Sequence, residues 1–148
     1  MSIANDIAAY IVNLSHLKES PVSNLKLQKL LYYSQAWYLA FFNRSLFDEE
    51  IEAWVHGPVV PDVFRTYRDF KWARISRIDN LVIPDNFRSH LEEVWRVYGS
   101  LTAYDLERLT HSEDPWKNAR SGIAPDVSSH IVITKDSMRD YYSARLNG

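Results

Sequence analysis

The sequence predicts an all-α or mainly α fold, a single-domain helical bundle in which one short stretch suits a small β hairpin. Apolar residues recur every three or four positions through most of the 148-residue chain, which is the spacing of one helical face. The two-residue alternation typical of a strand is confined to residues 51–55. No repeat or long linker divides residues 1–148, and this length suits one domain with one core.

The first helix is predicted over about residues 2–17. Its aliphatic positions lie three or four residues apart, at Ile3, Ile7, Ile11 and Leu14. The pattern weakens after Leu14. The Ser20–Pro21 pair then stops the helix, because a residue that precedes proline is pushed out of the helical region.

The second helix carries the clearest apolar pattern of the chain and runs to about Phe42. Ser23 or Asn24 suits its N-cap, since a short polar side chain there accepts a hydrogen bond from the first turn. Its broad stripe consists of Leu27, Leu30, Leu31, Ser34, Trp37, Tyr38 and Phe41. The polar residues expected mostly outside this stripe are Lys26, Lys29 and Gln35. A stripe of this width predicts a central, largely buried helix.

The segment after the second helix is the least regular part of the sequence. Its alternating run, residues 51–55, is broken by His56–Gly57–Pro58. Pro58 or Pro61 suits the first turn of a short third helix, where a missing N–H costs nothing. Residues 71–83 are predicted to form a loose strand or an apolar loop.

Four further helices are predicted in the remainder of the chain. Their first residues or N-caps are Pro84–Asp85, Thr102, Asp114–Pro115 and Thr134. We expect Gly99 to end the first of these four in the left-handed conformation that follows many helices. Residues 121–130 are rich in glycine, proline and serine and predict a loop, and the last helix runs to about Leu146.

The composition excludes several classes of site and partner. The chain has no cysteine, so disulfides, iron–sulfur clusters and thiolate zinc sites are excluded. A formal net charge of −2 with well-mixed signs provides no basic surface for non-specific nucleic-acid binding. No signal-peptide pattern and no apolar run of bilayer length are found, so the default expectation is a cytoplasmic protein without a membrane partner.

No motif indicates catalysis, a cofactor or a metal. The GxGxxG, Walker A and GxSxG patterns are missing, and none of the five histidines pairs with another at i, i+4. We therefore expect a non-enzymatic protein with no cofactor and no metal. The alternative is an enzyme in which His56 or His111 acts as a base. The simpler interpretation of His111 is structural, with Trp116 packed behind it.

Residues 102–120 allow a further alternative, a helix-turn-helix regulator that binds DNA. Its second helix would offer only Lys117 and Arg120 to phosphates or bases, whereas a recognition helix normally presents several donors. The neighbouring Glu113 and Asp114 would repel phosphate. Nucleic acid is therefore not the expected partner.

Six residues form the candidate partner-binding site: Trp54, His56, Pro58, Tyr67, Arg68 and Trp72. The first three lie at a chain break, where side chains are exposed more often than in the centre of a helix. Arginine together with aromatic residues is the usual mixture at interaction hot spots. In the alternative interpretation, Gly57–Pro58 only shapes a turn and Trp54 fills the core. An aromatic share of 14% also suits a homodimer or a complex with another protein.

Three stretches of the chain form a recognisable set. They are NLKLQKLLYY at 24–33 followed by Gln35–Trp37, IEAWVHGPVVP at 51–61 continuing to Tyr67, and Leu109–His111 with Pro115–Trp116 and Ala119–Arg120. In order and spacing this set resembles the Panacea domain, the module of SocA-like antitoxins and related phage-associated proteins. The likeness covers nearly the whole chain, and its first two stretches are long and specific.

This resemblance implies a mainly α domain without catalytic activity of its own. It implies an antitoxin whose partner is a cognate protein toxin. Direct binding of the toxin is the favoured mechanism. The alternative that the resemblance leaves open is an adaptor that delivers the toxin to an AAA+ protease.

Overall fold

The computed structural model describes residues 3–79 and 85–146. Its helices are α1 (Ile3–Leu17), α2 (Asn24–Phe42), α3 (Pro61–Thr66), α4 (Asp85–Tyr98), α5 (Ala103–Ser112), α6 (Asp114–Ala119) and α7 (Lys135–Leu146). Its strands are β1 (Ile51–Trp54), β2 (Gly57–Val59) and β3 (Val132–Ile133). The predicted mainly α fold with a small hairpin is confirmed. Of the predicted features, the helix start at Pro84 and residues 80–83 of the predicted loose strand or apolar loop lie outside the described residues.

The predicted hairpin is extended to a three-stranded antiparallel sheet in the order β2-β1-β3. Ala53 lies opposite Pro58, and Ile51 lies opposite Ile133. The two-residue loop of the hairpin leads directly into Gly57, whose φ of 113° is a left-handed value that side chains disfavour. Strand β3 was not predicted, because two residues are too few to display an alternation.

Helix α2 is the centre of the molecule, as its apolar stripe predicts. It packs against α1, α4, α5, α7 and strand β2, so that nearly its whole circumference is covered. The prediction that Lys29 and Gln35 lie mostly outside the buried face is wrong, since both side chains are fully buried. Phe41 is also misplaced by the pattern, since it lies in the last turn of the helix and is 54% exposed.

Two buried glutamines of α2 hold the neighbouring loops to the helix. Gln35 Oε1 accepts a hydrogen bond from the Leu46 N–H at 2.7 Å, and its Nε2 donates to the Phe47 carbonyl at 2.7 Å. Gln28 Oε1 accepts a hydrogen bond from the Val60 N–H at 2.9 Å. These amides satisfy backbone groups that would otherwise be buried without partners. They therefore fix the chain that enters the sheet and the chain that leaves it.

Helix α7 is held against α2 by a buried hydrogen-bond network of tyrosines around one carboxylate. Tyr33 and Tyr142 both donate to Glu113 Oε1, at 2.6 and 2.9 Å. The Tyr32 and Tyr142 hydroxyls lie 3.0 Å apart. Burial raises the pKa of Glu113, while the hydrogen bonds from the two tyrosines oppose that shift. The last helix is thereby joined to both α2 and the start of α6.

Three of the predicted helix caps are confirmed among the described residues, and one predicted helix end is wrong. Ser23 caps α2, and Thr102 forms a capping box with Asp105 at the start of α5. Thr134 Oγ1 accepts a hydrogen bond from the Ser137 N–H at the start of α7. The expectation of a left-handed Gly99 after α4 is wrong. Glycine is required there for space, because a Cβ would lie 2.5 Å from the Trp95 backbone and side chain.

Candidate partner-binding site

A groove of about 630 Å³ lies between the β1–β2 hairpin, α3 and the turn that follows α3. We call it the aromatic groove, and its lining residues are Asn24, Leu25, Trp54, Val55, His56, Val59, Phe64, Arg68, Lys71, Trp72, Ser128 and His130. Four of the six predicted partner-binding residues, Trp54, His56, Arg68 and Trp72, line it together. The other two, Pro58 and Tyr67, are buried and do not line the groove.

Trp54 is fixed in position from three directions. Its Nε1 donates to Glu52 Oε1 at 2.9 Å. Its ring contacts the rings of Phe64 and His130, with centroids 5.1 and 5.0 Å away. In addition, Trp116 Nε1 donates to the Trp54 carbonyl at 2.9 Å, which fixes the backbone as well. A ring held in this way loses little conformational entropy when a partner covers it.

Trp72 contrasts with Trp54, because it is 80% exposed. It follows a 3₁₀ turn, Arg68–Phe70, and it comes directly after Lys71, which has a φ of 54° and a ψ of −117°. Within the described part of the chain, no aromatic ring packs against the Trp72 indole. A Trp with this exposure leaves a large apolar surface in water beside the groove.

The charged side chains of the groove are cationic. Arg68 and Lys71 have no carboxylate partner among the described residues. The two imidazoles are paired to carboxylates, with His56 Nδ1 3.2 Å from Glu107 and His130 Nδ1 3.3 Å from Glu52. No Asp or Glu of the described residues lines the groove itself. The free charges of the groove are therefore positive, whereas the net charge of the whole chain is −2.

Behind the hairpin lies a buried polar cluster that supports the groove. Lys29 is fully buried, and no described residue accepts a hydrogen bond from its Nζ. Burial lowers the pKa of Lys29 to about 7, and the charge of Glu107 partly opposes that shift. The Lys29 side chain passes close under Gly57, where a Cβ would lie 2.8 Å from Lys29 Cε. The Lys29 stem therefore leaves little space for a side chain at position 57 of the hairpin.

The structural interpretation of His111 and Trp116 agrees with the geometry. The two rings stack with centroids 3.8 Å apart and planes 14° apart. Burial is the main cause that lowers the pKa of His111. Trp116 is itself buried and carries the hydrogen bond to the Trp54 backbone. This stacked pair therefore acts on the groove through the position of β1.

Arg120, like Trp116, holds the β1 backbone beneath the groove, so its guanidinium is engaged within the protein. It is 3% exposed, and its guanidinium donates to the carbonyls of Ala53, at 3.0 Å, and of Ala124 and Val127. Of the two cations that the helix-turn-helix interpretation assigned to DNA, only Lys117 is exposed. That interpretation therefore loses one of its two donors.

No group of three or more His, Cys, Asp or Glu side chains in the described ranges is placed to hold a metal ion. No helix in those ranges is both long and apolar enough to cross a membrane.

Comparison with known proteins identifies the family. Residues 27–117 match the family model described as "Antitoxin SocA-like, Panacea domain", which is more than half of the chain. The chain belongs to this Panacea family. It is also similar to Antitoxin SocA of Caulobacter vibrioides (strain NA1000 / CB15N), at 27% identity over 94% of this chain and 81% of that protein. No solved structure matches the chain.

The Panacea match runs from α2 into α6 and contains all four of the predicted residues that line the groove. Sequence reasoning missed other lining residues, among them Lys71 and His130. Lys71 has the unusual backbone conformation of a tight turn, which no local pattern indicates. His130 lies beyond the family match in a polar loop, and only the pairing of β1 with β3 brings it beside Trp54.

Proposed function

We propose that this chain is an antitoxin that neutralises its cognate protein toxin by direct binding at the aromatic groove, without catalysing a reaction. Membership of the SocA-like family supports the antitoxin role. The observation that carries the binding mode is the groove itself, in which a fixed Trp54 lies near a highly exposed Trp72. Arginine completes the residue mixture that is typical of interaction hot spots.

Trp72 alone provides enough apolar surface to matter for affinity. A Trp side chain buries roughly 150–250 Å² when fully covered, and 80% of this one is exposed in the free chain. At about 25 cal/mol per Å², covering it supplies about 3–5 kcal/mol before the costs of association. Trp72 contributes little to the core, so this free energy can be gained mainly when a partner covers the side chain.

The experiment is co-expression of the chain with the gene beside it, with growth and recovery of a complex as the readouts. We expect the neighbouring product alone to stop growth and the wild-type chain to restore it through a stable complex. Trp72→Ala should lose both effects. Tyr104→Ala is the matched control, because Tyr104 is a 64% exposed aromatic residue that does not line the groove.

Other outcomes select among the alternatives. If growth returns only when an AAA+ protease is present and the toxin disappears, the protease-adaptor mechanism replaces direct binding. If His56→Ala with His111→Ala abolishes rescue while the complex still forms, a catalytic role replaces simple sequestration. If the neighbouring product is harmless, the antitoxin proposal fails, and binding of promoter DNA is the next hypothesis to test.

A further inference from the structure

We infer that the aromatic groove receives an acidic segment of the partner toxin, with a large apolar side chain inserted beside Trp54. This inference rests on the proposed antitoxin function and specifies the chemistry of the partner. It follows from two separate properties of the groove, namely the sign of its free charges and the apolar character of its walls.

The free charges of the groove are those of Arg68 and Lys71. Both side chains line the groove, both are exposed, and neither has a carboxylate partner among the described residues. The other cationic or protonatable groups of the lining, His56 and His130, are already paired with carboxylates behind them. Two unpaired cations beside a groove that contains no described carboxylate favour an acidic partner, because a basic one would meet like charge.

The walls of the groove carry large apolar side chains. Trp54 and Phe64, which are partly exposed, provide apolar surface in the groove, and Trp72 adds exposed apolar surface at its edge. A volume of about 630 Å³ lies within the range of pockets that take a compact ligand. It holds a short segment with a large side chain and not a folded domain. The partner must therefore present a bulky apolar residue flanked by carboxylates.

A second copy of this chain is a less suitable occupant. The longest acidic run of the chain is Asp48–Glu49–Glu50, and two of its carboxylates are already engaged within the same molecule. Glu49 accepts a hydrogen bond from the Ala4 N–H at 3.1 Å, and Glu50 lies 3.6 Å from Lys135 Nζ. The side chain between this run and Leu46, Phe47, is 1% exposed and is not available for insertion. The toxin is therefore the favoured source of the acidic segment.

The test measures the affinity of the purified toxin, encoded beside this chain, for the wild-type protein and for charge variants at low and high NaCl. The double variant Arg68→Glu with Lys71→Glu should bind at least about 10-fold more weakly. Wild-type affinity should fall as salt rises, and the affinity of the variant should fall less or increase. The matched control is Lys18→Glu with Arg44→Glu, which makes the same charge change at exposed positions outside the groove.

A second measurement keeps the test decisive if charge reversal affects folding. The milder pair Arg68→Gln with Lys71→Gln should melt like the wild type and should lose a smaller part of the affinity. In hydrogen exchange of the toxin, the segment that this chain protects should contain Asp or Glu residues around a large apolar residue. A protected segment that is basic or wholly polar would overturn the inference.

The remaining outcomes separate the inference from the proposed function. If Trp72→Ala abolishes binding but the charge variants match their control, the acidic partner is overturned while the groove stands. If no groove variant weakens binding and the wild type still neutralises, the groove is overturned while the antitoxin function stands. If sedimentation shows a homodimer that Arg68→Glu with Lys71→Glu dissociates, the occupant is a second copy. If the wild type neutralises nothing, the proposed function itself fails.

Discussion

Replacing the buried Lys29 by methionine should stabilise the protein near neutral pH. Methionine keeps the length of the unbranched stem that passes under Gly57, and it removes the ammonium group. In the wild type that group is fully buried, and no described residue accepts a hydrogen bond from it. Burial of an ammonium without a partner is costly, so folding opposes its protonation.

The size and sign of the effect follow from the pKa of Lys29, which burial lowers from 10.5 to about 7. Between these two pH values the unfolded chain holds a proton at Lys29 that the folded chain releases, so the free energy of unfolding rises with pH across this window. At 1.36 kcal/mol for each pH unit, the wild type should gain at most about 2–3 kcal/mol between pH 7 and pH 9 from this residue. Below pH 7 both states are protonated, and the full penalty applies.

Urea unfolding of both proteins from pH 6 to pH 9 measures this effect. Lys29→Met should be more stable than the wild type at pH 6 and 7, and the difference should shrink as pH rises. Lys18→Met, at an exposed position, is the control and should show a small difference that does not depend on pH. If Lys29→Met is less stable than the wild type at every pH, Lys29 is stabilised by a partner, and the reasoning from burial is refuted.

Two other positions test the backbone and the tyrosine network. Gly57→Ala should lower the free energy of unfolding in urea by about 1–3 kcal/mol, because its φ is 113° and the new Cβ would crowd Lys29. Gly122→Ala, with a φ of 85° and open space around it, should lose less, and an equal loss would exclude crowding as the cause. Burial raises the pKa of Glu113, so the stability that depends on its neutral form is present below the unfolded pKa and is lost as pH rises through the folded one. Thermal unfolding from pH 4 to pH 7 should therefore favour Glu113→Gln increasingly over the wild type, and a pH-independent difference would contradict this.

The helices could be predicted from the sequence because their signals are local. The apolar spacing of α1 and α2 and the caps at Ser23 and Thr102 involve residues only a few positions apart. The burial of Gln35 and Lys29 could not be predicted in this way. Polarity alone places both side chains outside the core, and their burial depends on partners or space provided by Leu46, Phe47 and the hairpin.

The candidate site could be predicted only in part, for a similar reason. Trp54 and His56 were identified by their position at a chain break, and Arg68 and Trp72 by their residue types. Their convergence on one groove depends on how α3 and the following turn fold back beside the hairpin. His130 is separated from Trp54 by about half of the chain, so its place in the groove required the three-dimensional structure.

The groove and its support place different demands on the sequence. The β1 backbone beneath the groove is held by Trp116 and Arg120, which donate to the carbonyls of Trp54 and Ala53. Both side chains are buried, and removing either would leave a carbonyl without its partner at a cost of about 1–3 kcal/mol. Arg68 and Trp72 are exposed, so changes there should alter binding with little effect on stability. A variant that loses both neutralisation and stability therefore indicates damage to the buried residues beneath the groove, such as Trp116 and Arg120. A variant that loses neutralisation alone indicates a change in the exposed surface that contacts the toxin.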